Sequence, residues 1–101
     1  MAQIGDSDFV TLVQFATNTA PAGHGFGPRK VFIRCVYERL KIDPRFRQMS
    51  LESFKRRLLA AAKRGELRLA RADLVSAMDP HDVALSHLAA PGADYHFVER
   101  T

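Results

Sequence analysis

The 22 residues from Ser50 to Arg71, SLESFKRRLLAAAKRGELRLAR, constrain the fold more than any other part of the chain. They hold a helix start, a buried stripe, a stop and a strand in succession. The Ser50 hydroxyl suits an N-cap, and Glu52 follows in the first turn, where the positive end of the helix dipole favours an anion. Leu51, Phe54, Leu58, Ala61 and Ala62 recur at the spacing of one helical face. Gly65 is the residue type with which helices most often close in the left-handed conformation. ELRLAR then switches to period two, placing Leu67 and Leu69 inward and Arg68 outward, as in a half-buried strand. A helix that passes at once into a strand calls for a mixed core, so the predicted class is α+β.

The flanking segments fill in the order of elements. Ser7 is a predicted N-cap, and Phe9, Leu12, Val13 and Ala16 form the stripe of a first helix that fades near Asn18. TAPAGHGFGP has three Gly and two Pro in ten residues and reads as a loop, with Phe26 as a very short strand or an anchor. Pro28 opens a predicted second helix through RKVFIRCVYERLKI, where Val31, Phe32, Cys35, Val36 and Leu40 make a wide apolar face that Ile33 and Tyr37 extend. Asp43-Pro44 ends it, because the residue before proline disfavours the helical region. Near the C-terminus DYHFVER alternates as one strand, with Tyr95, Phe97 and Glu99 on one side and His96 and Val98 on the other. The connection between the last two strands, about residues 73–94, is long and partly helical. Within it Asp79 is the expected N-cap, Pro80 the first helical residue and Asp82 the third, and Val83, Leu85 and Leu88 line the inner side.

Size and composition narrow the class further. A chain of 101 residues supports one modest core, so residues 1–101 read as a single domain. No apolar run approaches the roughly 20 residues of a membrane helix, so no membrane partner is expected. The stretch MAQIGDSDFV lacks Lys and Arg and does not resemble a secretory signal. A single cysteine, Cys35, excludes an intramolecular disulfide, and its apolar neighbours predict a buried, inert thiol. A cytoplasmic location is the expectation.

Charge is unevenly distributed along the chain. The net charge is +4, yet residues 1–27 carry Asp6 and Asp8 and no base. Residues 28–71 carry 14 Lys/Arg against four acids, and residues 72–101 carry five acids against Arg100. A basic middle between acidic ends is the footprint of a polyanion-binding surface. Arg45, Arg47, Lys55, Arg56, Lys63, Arg64 and Arg68 are the candidate nucleic-acid contacts, with Lys55, Arg56, Lys63 and Arg64 expected on one exposed ridge. The helix lacks Asn and Gln, the usual bidentate readers of adenine, so duplex DNA binding of low sequence specificity is expected.

No Gly-x-Ser-x-Gly elbow, Cys–His pair or paired-carboxylate motif occurs, and the chain reads as a non-enzyme with no cofactor. His81 and His87 are six residues apart and do not share a helix face as metal ligands would, so no metal site is expected. GHGFG lacks the Lys-Ser/Thr of a phosphate-binding loop.

Helix, short extended piece, helix, helix, strand, long excursion, strand: this order resembles the winged-helix superfamily over about residues 6–100. The stretch LRLARADLVSAMDP is also similar to segments of small bacterial proteins. The resemblance implies a winged-helix-like α+β fold with a three-helix core and a two-stranded hairpin. It implies that Ser50–Arg64 is the recognition helix and that Leu67–Leu69 and Tyr95–Val98 are the wing strands. The wing connection departs from the family pattern, being long and acidic (Asp73, Asp79, Asp82 and Asp94) where a short basic loop is usual. Any DNA contact is therefore expected from the helix and the residues just before it. Winged helices also serve as protein–protein modules. The alternative is accordingly an interaction module, docking an acidic protein partner on the basic helix or exposing an apolar patch at Leu85 and Leu88.

Overall fold

The computed structural model describes residues 4–21, 25–26, 29–71, 78, 80–90 and 93–100, with backbone alone at 25 and 26. These residues form an α+β structure of four helices and two small antiparallel sheets. In chain order the elements are α1 (Asp6–Asn18), β1 (Gly25–Phe26), β2 (Lys30–Phe32), α2 (Ile33–Leu40), α3 (Leu51–Lys63), β3 (Leu69–Ala70), α4 (Pro80–Ser86), β4 (Leu88–Ala90), β5 (Ala93–Tyr95) and β6 (Phe97–Glu99).

Helix α3 forms as its residues dictate. The Ser50 hydroxyl accepts the Ser53 amide at 3.1 Å, satisfying one of the orphan donors of the first turn. Gly65 follows the C-cap with φ +79°, the left-handed region that a Cβ disfavours. Phe54, Leu58 and Ala61 are fully buried. Phe54 is the hub of an aromatic cluster, its ring 5.3 Å from Tyr37, 5.7 Å from Phe9 and 6.4 Å from Phe46. Phe46 lies in the turn between α2 and α3 and is fully buried, although its neighbours Arg45 and Arg47 give no apolar pattern to reveal it.

The first helix ends at Asn18 as expected but begins differently. Gly5 is its N-cap, with no side-chain cap, and Ser7 lies inside the first turn beside Asp6 and Asp8. Those two acids stabilise the helix start through its dipole, which removes the need for a hydroxyl cap. The buried stripe runs through Phe9, Val10, Val13, Ala16 and Thr17, and Leu12 stands at its margin.

The predicted second helix is divided. Lys30–Phe32 is a strand, and the helix starts only at Ile33. Val31 and Phe32 are β-branched and aromatic, and in the strand they lie opposite Val98 and Phe97 of β6. The Phe32 and Phe97 rings meet at 4.7 Å, a contact that a continuous helix would forgo. Phe26 is held in β1 opposite Lys30, as the short-strand reading expected. Pro28 lies outside the described residues. The helix ends at Leu40, short of Asp43-Pro44, and residues 41–48 follow as turns.

Four strands assemble in the order β1-β2-β6-β3. β3 pairs antiparallel with β6, Leu69 opposite Val98 and Ala70 opposite Phe97. β6 is thus a central strand, and Phe97 and Val98 are both fully buried. The simple alternation read from DYHFVER fails here, because both faces of the strand are covered. The segment also breaks at His96. Residues Ala93–Tyr95 belong to a separate hairpin with β4, registered Leu88↔Tyr95 and Ala90↔Ala93. The His96 backbone bridges the break, donating to the Ala70 carbonyl at 2.9 Å and accepting from the Ile33 amide at 3.0 Å.

The long connection is therefore part helix and part hairpin. Asp79 lies outside the described residues, but the helix it was expected to cap begins at Pro80. Leu88 is not on that helix: it is buried in β4, and Ser86 is the buried residue of α4. The Ser86 hydroxyl accepts the Arg34 amide at 3.1 Å, and the Arg34 guanidinium donates to Asp82 at 2.6 Å. These bonds clasp α4 to the start of α2. No helix among the described residues is long and apolar enough to cross a membrane.

Candidate nucleic-acid interface

The cations divide into those that hold the fold together and those left facing solvent. Arg57, on α3, donates to the Ile4 carbonyl at 2.8 Å and to Asp6 at 2.9 Å, with its guanidinium 4.5 Å from the Phe9 ring centre. Arg39 donates to the Ala16 carbonyl and to Thr19, closing the C-terminal end of α1. Arg100 donates to the carbonyls of Asn18 and Ala20. Arg34 pairs with Glu38 at 3.0 Å as well as with Asp82. A guanidinium is suited to this work because its fixed fork of donors satisfies several carbonyls at once.

The seven candidate contacts do not behave alike. Arg47, Lys63 and Arg68 are exposed, and their side chains make no ion pair or hydrogen bond among the described residues. Arg56 is exposed and donates only to the neutral Ser53 hydroxyl at 3.2 Å, so its charge is uncompensated. Arg45 is exposed but held by Asp43 through bonds of 2.9 and 3.1 Å, which keep that carboxyl below its ordinary range and raise the guanidinium. Arg64 is engaged by Glu66. Lys55 departs most from expectation, for it is only 9% exposed.

The helical angles explain Lys55. Ser53, Arg56, Ala60 and Lys63 follow one another at i, i+3, i+7 and i+10, a single stripe opposite Phe54, Leu58 and Ala61. Lys55 stands at the edge of the buried face, and the α4–β4 segment covers that edge, lining with it a cleft that Ala84, His87 and Leu88 share. The ridge is therefore Arg56 and Lys63, with Arg64 beside them and Lys55 turned away. Its stripe is small where it is not basic. Ser53 and Ala60 let a flat or grooved partner approach the helix backbone, and Arg56 and Lys63 reach outward from either side of Ala60.

Other residues singled out from the sequence have structural surroundings. Cys35 is buried, and burial, followed by the charge of Asp82, raises its thiol above the usual value of 9.0. Among the described residues no group of three His, Cys, Asp or Glu is arranged to hold a metal. His87 and His96 approach each other, ring centres 5.3 Å apart, a neighbourhood that their nine-residue separation does not reveal. The apolar patch imagined at Leu85 and Leu88 is not exposed as such, since Leu88 is buried and Leu85 half-buried. The exposed large apolar side chains among the described residues are Phe15 and Ile42.

No protein-family model, curated protein or solved structure matches the chain.

Proposed function

We propose that the chain is a non-catalytic, cytoplasmic nucleic-acid-binding domain of winged-helix type, which lays the exposed stripe of α3 against duplex DNA with little sequence preference. The observation that carries the reading is the stripe Ser53–Arg56–Ala60–Lys63: two unneutralised cations on a helix face otherwise made of small side chains. Arg47 before the helix and Arg68 after it extend the positive surface along the chain. The fold reading is supported by the antiparallel pairing of β3 with β6 directly after α3 and by β2 joining the other edge of β6. The excursion that replaces a short basic wing carries Asp82 and Asp94, so α3 and its flanks supply the phosphate contacts.

The test is fluorescence anisotropy with two duplexes of unrelated sequence over a range of salt. Four free cations give a slope of log K against log salt of about −3 to −4, at about −0.9 per phosphate, and roughly micromolar affinity at physiological salt. Arg56→Ala and Lys63→Ala should each flatten that slope by about one on both duplexes. Lys55→Ala should leave it unchanged. Equal slopes for wild type and the double variant would refute the assignment. An acidic protein partner is the alternative reading for the same stripe.

A further inference from the structure

The described chain between β3 and β6 includes α4 and the β4–β5 hairpin, which lie outside the four-stranded sheet. A two-stranded hairpin is marginal by itself, so this unit depends on what it packs against. His96 stands where the hairpin joins β6, its backbone bonded to Ala70 and Ile33. Its ring lies 5.3 Å from that of His87 at the α4–β4 junction, and His87 in turn faces Asp94 of β5 at 3.5 Å. From α3 the charge of the buried Lys55 reaches His96, and Glu52 and Arg56 share the cleft that Lys55 and His87 line. The His96 Nδ1 is buried and has no hydrogen-bond partner among the described residues. A neutral imidazole can leave one nitrogen bare, whereas an imidazolium carries a donor on both and here would bury an unanswered N–H. The closed arrangement therefore holds the neutral ring.

We propose that the His87–His96 pair is an acid-sensitive latch: protonation of His96 frees α4 and the β4–β5 hairpin from α3 while the four-stranded sheet stays folded. A charged His96 meets Lys55 and, once it is charged, His87 as like charges, with Asp94 as the opposing acid. Opening gives the ring water for both nitrogens and separates it from Lys55. Burial and then the charge of His87 hold the His96 pKa below 6.5, Asp94 opposes them and Lys55 adds to them. A base depressed in the closed form favours closure fully above about 6.5, and that advantage is lost as pH falls from there toward the closed-form pKa. The latch is independent of nucleic acid binding.

The test is amide hydrogen exchange followed by NMR between pH 7 and pH 5, with protection corrected for the intrinsic exchange rate. Amides of residues 82–90 and 93–95 should lose protection several-fold over that range, with a ceiling of about tenfold per pH unit for one proton taken up, while those of Val31, Phe97 and Val98 keep theirs. His96→Gln should remove the pH dependence. His87→Gln, at a side chain 46% exposed, takes away one like charge and should reduce the loss. Asp94→Asn takes away the opposing charge and should enlarge it. These opposite signs separate the latch from a structural contact alone, and both sites are exposed, so the two variants decide the matter if His96→Gln unfolds the hairpin. Unchanged protection at pH 5, equal loss in the four-stranded sheet, a shared sign for the two charge variants, or wild-type pH dependence in His96→Gln would overturn the proposal.

Discussion

Replacing Phe54 with alanine tests the packing on which everything else rests. The ring is fully buried and touches three other aromatic rings from α1, α2 and the turn after it. Removing a buried phenyl ring costs about 3–5 kcal/mol through lost transfer energy and the cavity left behind. The upper half of that range is expected here, because the aromatic pairings each add about 0.5–1.5 kcal/mol beyond area burial. A domain of this size has a total stability of about 5–15 kcal/mol, so the variant is left marginal. At about 5 °C per kcal/mol, melting should fall by about 20 °C. Urea unfolding followed by circular dichroism reads the change as a shift in midpoint at constant slope. A loss below about 1 kcal/mol would mean that Phe54 is not the hub of the core and that α3 presents a different face.

Three further outcomes follow from local geometry. Gly65→Ala should destabilise by about 1–2 kcal/mol in urea and Gly65→Asn by less, since a Cβ there meets open space and only the positive φ opposes it; a neutral Gly65→Ala would refute the left-handed cap. The pKa of His96 is lowered from 6.5, first by burial and then by the charges of His87 and Lys55, with Asp94 opposing. Its neutral form is favoured on folding, so the unfolded chain takes up the proton first and stability falls as pH drops below about 6.5. His96→Gln should flatten the pH dependence of stability between pH 7 and 5, and identical profiles would contradict this. Cys35 should resist aromatic disulfide reagents in the native state and react on unfolding; rapid native labelling would show that the start of α2 is open.

The sequence made α3 legible because its signals are local, Ser50 capping its own helix and Gly65 ending it, whereas the strand read over Leu67–Leu69 lies at Leu69–Ala70, where β6 is there to pair with it. What escaped was decided by distant partners. Lys30–Phe32 read as helix because its apolar spacing fits both periods, and only β6 opposite it selects the strand. His96 hides a break between two sheets inside a continuous alternation. Phe46 is buried between two arginines, with no pattern to announce it. The candidate site was legible as a charge total but not in its details. Helical angles place Lys55 at a margin, yet its burial depends on α4 and β4 folding back over it, about 30 residues later. The same reversal brings His87 beside Lys55 and creates the cleft. Asp43 and Glu66 neutralise Arg45 and Arg64 within two residues, a signal present in the sequence and visible once ion pairs are counted rather than charges.

The most direct test of the central claim is an amide NMR titration with a short duplex at about 50 mM and 150 mM salt. The account predicts shifts centred on Ser53, Arg56, Ala60 and Lys63, extending to Arg47 and Arg68, that shrink as salt rises while the amides of α4 stay in place. Amides of residues 52–68 left unmoved by excess duplex at about 50 mM salt would contradict it.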